Sequence, residues 1–261
     1  MKQIFILTLV GLITIENVFS QRSHQHADSL EQYSYPILGI YPSFTAGTGF
    51  FLTYNDSLYF ITAKHVVTGC DDKRNKRPNY PDKLIIGDYK DMEHSFFIDT
   101  KVIRQALPCD GIDMYIHPIS GRFKPYYKTV DQFILPKISE FATLEIFGYP
   151  ITSYDTGYVG VPRKSKHLTM PTETFDFTYA LDSAGNINKL YQRVSHPKSV
   201  EVIGGYSGSP IFLQDRQTGN WRIIGIVSAT ESTYGGSRGG LLYVDIQHVL
   251  NLLEISAKKP K

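Results

Sequence analysis

From residue 37 onward the chain runs as short apolar and aromatic stretches cut by Gly, Pro, Asn and Asp. Thr48–Tyr54 (TGFFLTY) and Ser57–Ala63 (SLYFITA) flank Asn55-Asp56, two residues that tolerate the positive φ of a tight turn, and this predicts a hairpin. Further strands are expected over Lys83–Gly87, Phe96–Arg104, Asp113–His117, Thr143–Gly148, Thr156–Val161, Thr174–Ala180, Lys198–Ile203, Pro210–Gln214, Trp221–Val227 and Gly240–Val244. One segment, Asp245–Ala257, has helical periodicity: Ile246, Val249, Leu250 and Leu253 share a face, and Asp245 is placed to cap the start. The strand-helix alternation of a parallel α/β sheet is missing, so the class is all-β. Residues 119–138 read as a linker between strand-rich halves at 37–118 and 139–244, with a polar lead-in over 21–36 and the helix closing at 245–257.

The first twenty residues follow a different pattern. Lys2 precedes a twelve-residue apolar run from Ile4 to Ile15, and Val18-Phe19-Ser20 ends on a small residue. A run of that length falls short of a bilayer core of about 30 Å, so residues 1–20 are expected to be a signal peptide rather than an anchor. The mature chain would begin near Gln21 and be secreted or periplasmic, with no membrane attachment after cleavage. The 261 residues carry 27 basic and 25 acidic side chains, a net charge of +2, which provides no basic field for nucleic acid. Two cysteines exclude a disulfide-dense scaffold and a four-cysteine zinc site. Export would let Cys70 and Cys109 pair, with two buried thiols as the alternative. The 18 Tyr and 15 Phe lean further toward β structure.

Three segments carry candidate chemistry. Gly204-Gly205-Tyr206-Ser207-Gly208-Ser209-Pro210 places a serine among glycines that let the backbone bend sharply and turn successive N–H groups toward one point. A serine hydroxyl needs a neighbouring base, and His65, just after the strand ending at Ala63, is the best placed of eight histidines. That imidazole needs an acceptor for its other nitrogen. Asp113 opens an apolar run where an unpartnered carboxylate would be costly, and Asp110 is its rival.

In the order His, Asp, Ser, at separations of 48 and 94 residues, these segments resemble the chymotrypsin/trypsin-like serine proteases. Gly47-Thr48-Gly49-Phe50 and Thr62-Ala63-Lys64-His65-Val66 are similar to the family's run into its histidine. Gly205-Tyr206-Ser207-Gly208-Ser209-Pro210 matches its serine motif, and Gly225-Ile226-Val227-Ser228 its cleft strand. The resemblance spans roughly residues 37–257 and implies two six-stranded antiparallel β-barrels with a C-terminal α-helix. It makes Ser207 the nucleophile, His65 the base, Asp113 its orienter and the N–H groups of Gly205 and Ser207 the oxyanion hole. Ser228, Ala229 and Thr230 would pair with substrate backbone, and Glu201 stands where an acid would favour basic side chains. The implied activity is a monomeric serine endopeptidase acting on a peptide or protein substrate, with no cofactor and no metal.

The chain departs from many animal members: Tyr206 stands where they place an acid, and no Ile-Val-Gly-Gly-like start is visible. It looks more like the bacterial, signal-bearing relatives. Two other classes compete. A catalytically inactive homologue would bind peptides without needing all three side chains. An α/β-hydrolase esterase is suggested by the near match to Gly-x-Ser-x-Gly, but Ser209 replaces the final glycine and His248 is the only downstream histidine.

Overall fold

Asn55 and Asp56 adopt φ of 47° and 59°, and the chain reverses there between strands β2 (Thr45–Tyr54) and β3 (Ser57–Thr62). The hairpin belongs to a computed structural model that describes residues 30–40, 45–68, 81–87, 95–99, 111–119, 127–135, 140–149, 166–181, 185–197, 205–231 and 238–258. The chain divides into Met1–Gln32 and Tyr33–Lys261, and the fold is that of the second unit. Around the hairpin lie β1 (Tyr35–Ile40), β4 (Lys83–Ile86), β5 (Phe96–Asp99) and β6 (Tyr115–Ile119), in the sheet order β5-β4-β1-β2-β3-β6. Every pairing is antiparallel. Its core is strongly aromatic. Phe51 contacts the rings of Tyr35, Phe60, Phe96 and Tyr127 at centroid separations of 4.7–6.3 Å. Tilted and edge-on geometries of this kind add to what burial alone contributes.

The second sheet holds β7 (Phe141–Gly148), β8 (Lys166–Pro171), β9 (Asp176–Leu181), β10 (Ile187–Pro197), β11 (Pro210–Asp215), β12 (Trp221–Glu231) and β13 (Arg238–Asp245). Their order is β8-β7-β11-β12-β13-β10-β9, again antiparallel throughout. Two curled antiparallel sheets with a C-terminal helix make the double-barrel, chymotrypsin-like architecture. The expected count of six strands in the second barrel is corrected to seven among the described residues. A short 3-10 turn at Thr172–Thr174 divides β8 from β9, so two short strands stand before β10.

Several boundaries differ from the pattern reading. β1 contains Pro36 and Gly39, which read as breakers, yet it pairs with β2 and β4 on its two sides. β8 and β10 were not expected, while the strands expected at Thr156–Val161 and Lys198–Ile203 lie outside the described residues. Within the expected linker, Tyr127 and Val130 are buried, Thr129 bridges to Phe51 and Asp131–Phe133 forms a 3-10 turn. The terminal helix runs Ile246–Ala257, with the Asp245 carboxylate accepting from the Gln247 N–H as N-cap. Among the described residues no helix is long and apolar enough to cross a membrane.

Candidate functional site

Register brings the first two candidate side chains together. Thr62 at the end of β3 pairs with Tyr115 at the start of β6, so the chain leaving one strand runs beside the chain entering the other. Past Thr62, a one-turn helix α1 (Lys64–Thr68) buries Val66 and Val67 in the first core and turns His65 toward Asp113. Asp113 Oδ2 lies 2.7 Å from His65 Nδ1, and Oδ1 accepts the His65 backbone N–H at 2.9 Å. An ionised carboxylate only accepts, so Nδ1 carries the proton, and Nε2 meets no hydrogen-bond partner among the described residues. Burial pushes the Asp113 carboxyl up, but hydrogen bonds and charge from His65, with a further bond from Ser228, outweigh it and leave the group below its ordinary value. Asp113 is thus the partner of His65; Asp110 lies outside the described residues.

The third side chain arrives from the second barrel. Gly205 and Gly208 have φ of 104° and 86°, and between them the chain carries Tyr206 inward and leaves Ser207 partly exposed. The Tyr206 ring joins the second core and lies so close over Gly148 that a Cβ there would meet its Cδ1 at 2.5 Å. Thr48 of β2 anchors this loop to the first barrel. Its N–H donates to Ser207 O at 3.0 Å and its hydroxyl to Gly205 O at 2.7 Å. The same hydroxyl accepts the Tyr149 N–H at 3.0 Å, and Thr48 O accepts from the Thr62 hydroxyl at 2.6 Å. A Cβ on Gly208 would stand 1.9 Å from Thr48 O, so only glycine fits. The Gly205 and Ser207 N–H groups donate to no described residue and remain as donors beside the serine.

Ser228 joins the two halves. Its hydroxyl donates to Asp113 Oδ2 at 2.7 Å, while its carbonyl accepts the Ser207 hydroxyl at 3.4 Å. The ladder between β12 and β13 shifts register between Val227 and Ala229, which puts Ser228 at the irregularity. Ala229 and Thr230 pair with Leu242 and Leu241 of β13. On the opposite side, β11 pairing reaches only Ile226 and the Ser209–Val227 bond. Residues 228–231 therefore have no strand on that side among the described residues.

Ser207, His65 and Asp113 are thus joined through Ser228, although the Ser207 hydroxyl is bonded to a carbonyl and not to the imidazole. Glu201, Cys70 and Cys109 lie outside the described residues. The pattern reading gave Ser228 a backbone role and missed its hydroxyl; it also missed Tyr191, whose phenol accepts the Asp113 N–H at 2.7 Å. A serine one residue beyond an apolar strand and a tyrosine in a mixed strand carry no signal of such contacts. Among the described residues, no three His, Cys, Asp or Glu side chains cluster as metal ligands. No model of a known protein family matches the chain, and no curated protein matches it.

Proposed function

We propose that the protein is a secreted serine endopeptidase, exported through residues 1–20, that cleaves peptide or protein substrates by an acyl-enzyme route. The carrying observation is the bonded series His65–Asp113–Ser228–Ser207, drawn from both barrels and closed at 2.7, 2.7 and 3.4 Å. This route requires the Ser207 hydroxyl to leave the Ser228 carbonyl and donate instead to His65 Nε2. The oxygen then attacks the scissile carbonyl as the imidazole takes the proton. Asp113 holds the imidazolium, and the Gly205 and Ser207 N–H groups face the developing oxyanion. His65 returns the proton to the leaving amine, and water repeats the sequence to free the acid. The edge of β12 at 228–230, which no strand pairs among the described residues, suits an extended substrate, whose backbone would add as a strand.

The Ser207–Ser228 bond also favours a second reading, an inactive homologue that binds peptides along the same edge. One experiment separates the two. An alkyl fluorophosphonate should label the wild-type protein at Ser207, mapped by peptide mass, and should leave Ser207→Ala unlabelled. An unlabelled wild type that still binds extended peptides would replace the peptidase with the binder.

A further inference from the structure

Strands β9 and β10 do not keep a uniform ladder. Ile187 pairs with Leu181 and Gln192 with Tyr179, so Asn188–Tyr191 bulge out of β10 between those two pairs. Two side chains of this bulge reach the first barrel: Leu190 lies beside Gly111, and the Tyr191 phenol meets the backbone of Asp113. The contact spans 78 residues of sequence and joins a strand of the second barrel to the loop that carries the carboxylate.

We propose that Tyr191 is a positioning residue for the His65–Asp113 pair, its phenol fixing the Asp113 backbone so that the carboxylate holds the imidazole in its working orientation. The inference rests on the triad reading above and adds to it a residue that touches neither substrate nor reacting atoms. Asp113 must present Oδ1 to one donor and Oδ2 to two others, and this requires a fixed main chain behind the carboxylate. Among the described residues, the Met114 N–H to Ile112 O contact at 2.8 Å is the local backbone bond of the turn at Gly111–Ile112. The 2.7 Å bond from the Asp113 N–H to Tyr191 supplies the anchor and satisfies a donor that would otherwise be left partly buried. The Ser228 side chain also acts on the same phenol, favouring its ionised form against burial. Tyr191 and Ser228 both meet Asp113, the phenol at its main-chain N–H and the hydroxyl at Oδ2. Burial raises the Tyr191 phenol above its ordinary value, so it meets the Asp113 N–H as a neutral hydroxyl oxygen.

The test compares full-length Tyr191→Phe with the wild type, using Tyr179→Phe on the exposed face of β9 as a control. With an alkyl fluorophosphonate as probe, the maximal acylation rate should fall about ten- to a hundred-fold while the half-saturating concentration stays constant, as expected for a misplaced base. The low-field proton resonance of His65 Nδ1 should move upfield or broaden in Tyr191→Phe and stay put in Tyr179→Phe. Wild-type acylation together with an unchanged resonance in Tyr191→Phe overturns the inference. If the variant does not fold, amide exchange in the wild type decides: strong protection of the Asp113 N–H supports the anchor, and exchange as fast as at Gly111 overturns it. A wild type that never reacts with the probe refutes the peptidase reading, while the resonance and the exchange still judge Tyr191.

Discussion

Replacing Asp113 by Asn keeps the side chain's volume and changes its hydrogen-bonding capacity. The aspartate accepts three bonds, from the His65 N–H at Oδ1 and from His65 Nδ1 and Ser228 Oγ at Oδ2, at 2.9, 2.7 and 2.7 Å. Asparagine offers one oxygen and one NH2. With its oxygen kept toward the His65 backbone, the NH2 faces Nδ1, which must become an acceptor and move its proton to Nε2. In the proposed mechanism that is the nitrogen that takes the Ser207 proton. With the amide flipped, NH2 opposes the His65 N–H, and an unsatisfied donor in a partly buried site costs about 1–3 kcal/mol. The first arrangement wins, and it holds the wrong tautomer. Turnover should therefore fall by about four orders of magnitude, or about 5 kcal/mol of transition-state stabilisation, as for triads of this kind generally. The assay is the rate of fluorophosphonate acylation and of peptide hydrolysis, with thermal melting to confirm the fold. A variant within ten-fold of the wild type would refute the role of Asp113. Melting against pH supplies a second check. The folded carboxyl is held low, so its contribution to stability is present above the unfolded value of about 4 and is lost as pH falls through the folded value. The stability difference between wild type and Asp113→Asn should shrink below about pH 4.

Gly208→Ala should destabilise the protein by at least about 3 kcal/mol, combining the left-handed backbone with the loss of a buried hydrogen bond at Thr48 O, and should abolish labelling of Ser207. Denaturant unfolding measures it, and a variant of wild-type stability refutes the packing argument. His117, buried in β6 with the Tyr115 hydroxyl 3.3 Å from its Nδ1, is pushed down to about 4 by burial. The unfolded chain then binds the extra proton, so stability should fall by up to about 3 kcal/mol as pH drops from 6.5 toward 4. His117→Gln should remove that acid slope, and an unchanged slope in the variant would contradict it.

What the sequence alone determined about this protein is local. The Asn55-Asp56 turn, the Asp245 cap and the short apolar runs of β7 and β11 follow from backbone preferences and local composition, which act over a few residues. The candidates His65, Asp113 and Ser207 were legible because strand ends and glycine-flanked bends expose polar side chains beside apolar runs. β1 escaped the pattern because Pro36 and Gly39 look like breakers when their neighbours in the sheet are unknown. β10 escaped because its bulge interrupts the alternation. Only the tertiary structure decided that Asp113 meets His65, through the Thr62–Tyr115 register, and that Ser228 and Tyr191 reach Asp113 across 115 and 78 residues. Such contacts depend on how two sheets curl and meet, and a hydrogen bond between distant residues leaves no periodicity in the chain that makes it.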